Sequence, residues 1–206
     1  MDREMWTRRL ATEERLRGYD QGYKFLYCPW STLGASGDAF ISLNPGGKTP
    51  VGADLRTLSD ERGNSYYVER ATTESPITEQ FLKFCDLVGT HYSKMLTGVA
   101  MPYRTTSWVK SRDERNLDIG RDFWLQVFKT FDVKRVFCVG KPAEIAITKI
   151  MNARRVREIP SGWGSYTIRE YTAGNGVSVF GLLHFSTFKM LSNETCRRQL
   201  SDLIGI

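Results

Sequence analysis

The stretch FISLNPGGKTP, residues 40–50, decides how the rest of this sequence is interpreted. An apolar run over residues 39–43 ends abruptly at Asn44, Pro45 and two glycines. This pattern predicts a buried strand that runs into a tight turn, because proline cannot continue a sheet ladder and glycine lets the backbone approach a ligand closely. Asn44 is therefore expected at the carboxyl end of a strand, where open α/β sheets usually place ligands. An ordinary strand-to-loop turn would give the same pattern.

A second stretch near the C-terminus repeats the arrangement. The apolar run VSVFGLL, residues 177–183, ends at the polar sequence HFSTFK, which begins at His184. Two strands that each end in a polar cluster can meet at one edge of a sheet. Asn44 and His184 are therefore expected to face one pocket.

The remaining sequence predicts an α/β fold. Apolar runs at residues 95–101 and 133–139 predict two further strands, and helical spacing of apolar residues predicts helices between them. A chain of 206 residues suits one α/β domain with a sizeable core. We expect a single domain over residues 1–206, with a three-layer α/β/α architecture and a central, mainly parallel four-stranded sheet. Residues 51–74 and 110–115 are expected to form loops.

Composition and charge restrict the function classes. The formal net charge is +6, and an excess of Lys and Arg favours polyanionic partners such as nucleic acid. The sequence has no apolar run of membrane-spanning length, and the charged N-terminus does not resemble a signal peptide. Its four cysteines lie far apart without a Cys-x-x-Cys pair, which argues against zinc and iron–sulfur sites. We expect a cytoplasmic, monomeric protein with no membrane partner.

Taken together, the motifs resemble those of the uracil-DNA glycosylase superfamily. The first family motif is a strand followed by Gly-x-Asn-Pro-Gly or Gly-Gln-Asp-Pro-Tyr, and residues 42–46 read SLNPG, closest to the Gly-Met-Asn-Pro-Gly of the single-strand-selective branch. The second is a strand followed by His-Pro-Ser, and residues 184–186 read HFS, with phenylalanine in place of proline. Residues 136–143, VFCVGKPA, resemble the third strand of the family and its glycine turn. The ordered set spans most of the chain.

The resemblance implies hydrolysis of the N-glycosidic bond of uracil or a modified pyrimidine in DNA, without a metal or cofactor. Such a reaction develops positive charge on the sugar and negative charge on the departing base. Asn44 is expected to orient the attacking water, and His184 to donate a hydrogen bond to the base where charge builds. Because bases in duplex DNA are stacked, the target base must be flipped out or already single-stranded.

The other expected site residues surround these two. Those expected to contact the base are Ser42, Leu43, Pro45, Gly46 and an aromatic stacking residue, Tyr66 or Tyr67. Those expected to contact DNA are Lys48, Arg104, Phe185, Ser186, Thr187 and Lys189. Ser186, Thr187 and Lys189 are expected to clasp phosphates, while Phe185 or Phe188 is expected to wedge into the base stack.

One departure from the family pattern leaves the specificity open. Uracil-specific members carry a base-reading Asn after the second strand, but the chain has no Asn between Met95 and Arg112. This absence disfavours strict uracil excision. The alternatives are a non-catalytic DNA- or nucleotide-binding protein of the same fold, and a nucleoside or nucleotide N-glycosidase that uses the same pocket.

Overall fold

The structure is a computed structural model that describes residues 1–45, 56–72, 75–104 and 110–206, with the backbone alone over residues 110–116. Gly46 and Lys48, which were predicted to contact the base and DNA, lie outside the described residues. The helices are α1 (Arg3–Leu16), α2 (Ser65–Glu69), α3 (Pro76–Val88), α4 (Lys110–Thr130), α5 (Lys141–Ile150) and α6 (Glu194–Ile204). The strands are β1 (Tyr23–Lys24), β2 (Asp38–Ser42), β3 (Arg56–Thr57), β4 (Leu96–Val99), β5 (Arg135–Val139), β6 (Arg154–Pro160), β7 (Thr167–Thr172) and β8 (Ser178–Leu182).

The central sheet has six strands in the order β4-β2-β5-β8-β7-β6. The first four are parallel to one another, and β7 and β6 extend the sheet as an antiparallel hairpin beside β8. Strands β1 and β3 form a separate parallel pair. The three-layer α/β/α fold with a mainly parallel sheet is confirmed. The sheet was predicted to have four strands and has six, because the hairpin adds β6 and β7.

Two hydrophobic cores lie on opposite faces of the sheet, because successive strand residues point to opposite sides. Phe40, Phe137 and Phe180 pack on one face beneath helices α3 and α6. Ile41 and Val136 belong to the core of the other face, which helices α1, α4 and α5 cover. Both faces of the parallel strands are therefore buried, and these strands read as continuous apolar runs.

Helix boundaries follow local signals, with two differences from prediction. Helix α3 begins at Pro76, which tolerates the first helical turn, and ends at Gly89, whose left-handed φ of 71° suits glycine. Helix α4 begins at Lys110, so the charged residues predicted as a loop are helical; Lys, Arg and Glu are good helix formers. Helix α2 lies in the predicted long loop, and Asn64 caps it by accepting a hydrogen bond from the Tyr66 amide at 3.2 Å.

The connections that follow the neighbouring parallel strands β2 and β5 leave on opposite faces of the sheet, which creates a crevice. After β2 the chain crosses through α3 on one face to reach β4, while after β5 it continues into α5 on the opposite face. Neighbouring strands whose connections leave on opposite faces form a topological switch point, and ligands bind outside the carboxyl ends of such strands. The carboxyl ends of β2 and β5 are therefore the expected place for a site.

The structure also bears on the cysteines and on membrane-spanning segments. Each of the four cysteines is a buried free thiol. In the described ranges, no helix is both long and apolar enough to cross a membrane.

Candidate functional site

A cavity of about 470 Å³ opens at the switch point. Residues that follow three parallel strands line it, namely Asn44 after β2, Gly140 after β5, and His184 and Ser186 after β8. Its volume lies within the range of roughly 300–1,000 Å³ that is usual for small-ligand sites. The cavity is large enough for a nucleotide-sized group, and both predicted catalytic residues line it.

The end of β2 is held by the exit of β4. The Ala100 amide donates to the Ser42 carbonyl at 2.8 Å, and the Met101 amide donates to the Leu43 carbonyl at 2.7 Å. Pairing to the neighbouring strand thus continues up to the residue before Asn44. Asn44 is positioned by this rigid edge, which suits a side chain that must orient a small reactant.

His184 lies in a tight turn that fixes its ring. Its carbonyl accepts hydrogen bonds from the amides of Thr187 at 3.1 Å and Phe188 at 2.8 Å, and its Nδ1 lies 2.7 Å from Ser186 Oγ. Burial lowers the pKa of His184, so the imidazole is neutral near pH 7. When the Ser186 hydroxyl donates to Nδ1, the ring proton is on Nε2, which is then a hydrogen-bond donor.

Gly140 supports the histidine from the end of β5. Its φ of +93° is a conformation that other residues rarely adopt. A Cβ at this position would lie 3.1 Å from His184 Cδ2. Helix α5 begins at the next residue, so its positive N-terminal dipole lies beside the cavity and favours negative charge there.

Two tyrosines form an aromatic wall. The rings of Tyr27 and Tyr66 meet edge to face at 5.3 Å, and Tyr66 also packs on Phe40 and Phe81 in the core. Burial raises the pKa of Tyr66, and hydrogen bonding to Ser42 only partly opposes this rise. Both phenols therefore stay neutral, and Tyr66 presents a fixed ring to the cavity.

A buried ion pair also contributes to the cavity lining through Lys24. Lys24 is only 5% exposed, and its Nζ lies 2.9 Å from Asp60 Oδ2. Asp60 also accepts hydrogen bonds from Arg62 Nε at 2.9 Å and from Ser65 Oγ at 2.8 Å. Burial raises the pKa of Asp60, but these hydrogen bonds and the Lys24 charge outweigh it and hold the pKa well below its usual range. The Lys24 charge is thus largely compensated where it meets the cavity.

Glu69 is a candidate that the sequence reasoning did not identify. Among the residues that the structure describes, it is the only acidic one on the cavity wall. Desolvation by the surrounding groups raises the pKa of Glu69, although the positive charges of Lys24 and Arg104 oppose this effect. The detectable signal was its position three residues after Tyr66, which places both residues on one face of a helix. It was missed because α2 was predicted as loop.

The structure places most predicted site residues on the cavity or beside it. Those that line the cavity are Ser42, Leu43, Asn44, Tyr66, Arg104, His184 and Ser186. Thr187 and Lys189 are exposed in the turn after His184. Lys189 lines an adjoining depression with Arg70 and Lys83, and that depression shares Ser75 with the cavity.

Three predicted contacts need correction. Phe185 is fully buried between Phe40 and Phe84, so it packs the core and is not available to DNA. The Tyr67 ring stacks on Tyr92 at 4.0 Å and does not line the cavity, so Tyr66 is the aromatic wall residue. Pro45 is buried beside the cavity without lining it. For Phe185 and Tyr67, packing that the motif alone does not specify determines the direction of the side chain.

A larger depression of about 720 Å³ lies at the opposite, amino end of the parallel strands. It is lined by the end of α4, the end of α5 and the turn before β8, including Leu125, Phe128 and Met151. Its charged residues are Lys129 and Arg154, and no acid or histidine lines it among the described residues. The cavity at the carboxyl ends combines donors, an acid and an aromatic wall, and is therefore the candidate site.

No family model and no curated protein matches this chain.

Proposed function

We propose that the protein is a monofunctional DNA glycosylase that binds an extruded pyrimidine in this cavity and hydrolyses its N-glycosidic bond. The observation that carries the proposal is the convergence of Asn44 and His184 on one cavity, next to the fixed ring of Tyr66. These residues come from distant parts of the sequence, and each follows a different strand or lies on α2. A water-orienting amide, a neutral donor and a stacking ring are the groups that this reaction needs.

His184 and Arg104 act on the departing base. Cleavage leaves the electron pair of the C1′–N bond on the base, so negative charge develops on its ring and carbonyl oxygens. A neutral His184 donates a hydrogen bond from Nε2, and a preorganised donor of this kind stabilises developing charge without reorganisation. Arg104 lines the same cavity and adds positive charge. The base then leaves as an anion and takes a proton from solvent.

Asn44 and Glu69 act on the sugar side. The Asn44 amide oxygen orients the water that adds to C1′, and the water releases one proton as the new C–O bond forms. Glu69, when ionised, favours the positive charge that develops on the sugar. An amide is a weaker water activator than a carboxylate, so Glu69 supplies the negative charge that Asn44 lacks. Water is the second substrate. The phosphodiester backbone of the DNA stays intact.

The exit of β4 favours a modified pyrimidine over strict uracil recognition. Met101 and Tyr103 are fully buried there and do not line the cavity. Arg104 is the first described residue after β4 whose side chain lines the cavity. A guanidinium only donates hydrogen bonds, whereas an asparagine amide both donates and accepts. We therefore propose a base whose edge near Arg104 carries acceptors, such as an oxidised or carbonyl-rich pyrimidine.

Single-turnover base release from oligonucleotides with varied bases tests this function. His184→Ala should slow release by roughly a hundred- to a thousandfold, the usual cost of one preorganised donor. Asn44→Ala should also slow release with nearly unchanged DNA affinity, whereas Asn44→Asp should preserve or raise the rate. His91→Ala is the matched control, since His91 is exposed and bonded to Ser93 away from the cavity.

Two outcomes would contradict the proposal. If both alanine variants release base as fast as the wild type, the assigned residues do not act in the reaction. If the wild type binds DNA but releases none of the bases offered, the non-catalytic binding protein is the better description. Release from free nucleosides but not from DNA would favour the nucleoside N-glycosidase.

A further inference from the structure

A second groove adjoins the candidate cavity on the other side of His184. Its volume is about 460 Å³, and it shares Gly140, Pro142 and His184 with the cavity. The rest of its lining comes from the start of α5, the β6–β7 connection, β7, the end of β8 and Phe188. Because the groove and the cavity share these residues, a bound polymer with one of its units in the cavity would place the next unit in this groove.

Tyr166 and Phe188 line the groove, and Trp163 packs beside them. Tyr166 and Phe188 meet at a ring-centroid distance of 4.9 Å, and Trp163 meets Phe188 at 6.0 Å. Tyr166 is 52% exposed and Trp163 is 36% exposed. Clustered exposed aromatic rings next to a cavity are typical of binding surfaces.

The turn that carries these rings is held rigidly. Ser161 is fully buried, its Oγ accepts a hydrogen bond from the Trp163 amide at 3.1 Å, and its own amide donates to the Tyr166 carbonyl at 2.9 Å. Gly162 has a φ of +78°, and a Cβ there would lie 2.9 Å from the Cys196 amide nitrogen, so the turn sits directly on the start of α6. The rings are therefore preorganised, which lowers the entropic cost of binding.

The charges around the groove nearly cancel. Lys141 Nζ lies 2.6 Å from Glu144 Oε1. Arg169 lies 3.5 Å from Glu144 and 3.0 Å from Glu158. Two cations are thus paired with two acids. The groove is therefore suited to binding a flat base through its aromatic rings more than to attracting a phosphate.

We propose that this groove binds the nucleotide next to the extruded one in single-stranded DNA, with its base stacked on Tyr166 and its edge against Phe188, whose ring is inclined at 67° to that of Tyr166. The inference rests on the proposed function, because the extruded nucleotide positions its neighbour. Aromatic side chains bind bases of single strands by stacking with little sequence preference. In an intact duplex the neighbouring base stays paired and stacked, so an open stacking groove favours a single strand.

Equilibrium binding by fluorescence anisotropy tests the stacking contact. The probe is a short labelled oligothymidylate with a central 2′-deoxy-2′-fluoro-5-hydroxyuridine, an oxidised pyrimidine nucleotide whose fluorine disfavours the cationic sugar and blocks release. Replacing one neighbouring base with an abasic analogue should weaken wild-type binding by about fivefold or more, the loss of one base–aromatic stack. Tyr166→Ala should weaken binding of the intact probe to the same extent.

A thermodynamic cycle separates stacking from a general effect. In Tyr166→Ala, the abasic replacement should cause no further loss, while Tyr166→Phe should bind like the wild type. Val156→Ala is the control, because Val156 is 59% exposed on the same hairpin and does not line the groove. Tyr166→Ala should leave the salt dependence unchanged, whereas loss of a phosphate contact, as in Lys189→Ala, lowers the slope by about 0.7 for single strands.

The inference fails if neither abasic neighbour weakens binding, if the losses from the variant and the abasic probe add, or if the wild type binds no oligonucleotide. Base release is measured separately on cleavable oligonucleotides. A wild type that shows the stacking cycle but releases no base would disprove the glycosylase reaction and leave the groove assignment standing. A wild type that releases base but does not show the stacking cycle would disprove the groove assignment and leave the glycosylase reaction standing.

Discussion

Replacing Gly140 with alanine tests whether the candidate site depends on the position of His184. The backbone has φ +93° and ψ 144° at this residue, a region almost confined to glycine. The strain should cost about 1–3 kcal/mol, which lowers Tm by about 2–12 °C for a chain of this size. The new Cβ would lie 3.1 Å from His184 Cδ2, whereas ordinary contacts begin at 3.4 Å, so the ring must move by the difference, 0.3 Å.

That displacement sets the expected loss of activity. A misplacement of about 1 Å in an active site can lower the rate about a hundredfold. If the logarithm of the rate falls in proportion to the displacement, a shift of 0.3 Å should lower the rate about fourfold. The assay is single-turnover base release together with thermal unfolding. Because the chain has only two histidines, NMR titration also follows the His184 imidazole directly. Its pKa is below the ordinary value because it is buried, and movement of the ring should change that pKa.

Gly176→Ala is the matched control for backbone strain. Gly176 has a φ of +82° and has nothing within 4 Å of the position that a Cβ would take. It should lose stability in the same range as Gly140→Ala without any change in base release or in the titration of His184. If the two variants lose equal stability and both keep the wild-type rate and the wild-type His184 titration, the reasoning about Gly140 and His184 is wrong.

Two further predictions concern the charged groups of the cavity. Because the pKa of Glu69 is raised, base release should fall as the pH drops through that raised value, above the pH at which an ordinary carboxyl protonates. Glu69→Gln should remove this acid limb of the pH–rate profile. If the limb persists in the variant, another group causes it. Asp60→Ala leaves Lys24 buried without its partner and should cost about 3–5 kcal/mol in denaturant unfolding, whereas Glu79→Ala, which breaks an exposed pair, should cost less than about 1 kcal/mol. Since the folded-state pKa of Asp60 is lowered, its stabilisation is complete above the ordinary carboxyl pKa and is lost as pH falls towards the lowered value; equal losses in the two variants, or no acid dependence, would refute this assignment.

The parallel part of the fold was predictable because its strands are buried on both faces. Burial on both sides makes a strand a continuous apolar run, and each run ends abruptly where the chain leaves the sheet. The same reasoning does not identify β6, whose residues Arg154–Pro160 are mostly exposed and charged. An edge strand of this kind is stabilised by pairing to β7, and charges on it discourage further pairing. Helix α2 was missed because five residues are too few to show a helical period.

The candidate site was predictable in its centre and less so at its margins. Asn44 and His184 each follow a parallel strand, and the carboxyl ends of such strands share one edge, so their convergence follows from the topology. Side chains one or two residues further on depend on the path of the turn. Phe185 and Phe188 illustrate this, since both are aromatic and lie in the same turn, yet Phe185 packs between Phe40 and Phe84 while Phe188 borders the groove. Composition does not distinguish these two directions.

The distribution of charge in the cavity is consistent with a reaction that separates charge. Lys24 is paired with Asp60, and the charges of Lys24 and Arg104 both lower the pKa of Glu69 against the effect of desolvation. A neutral substrate gains little from this arrangement in the ground state. As the glycosidic bond breaks, the sugar becomes cationic and the base anionic, and both charges then meet groups of opposite sign on the cavity wall. Interactions that strengthen only in the transition state increase the rate without tightening substrate binding. Glu69 is exposed and lines the cavity, so we expect its carboxylate to act through its position beside the sugar and not through burial.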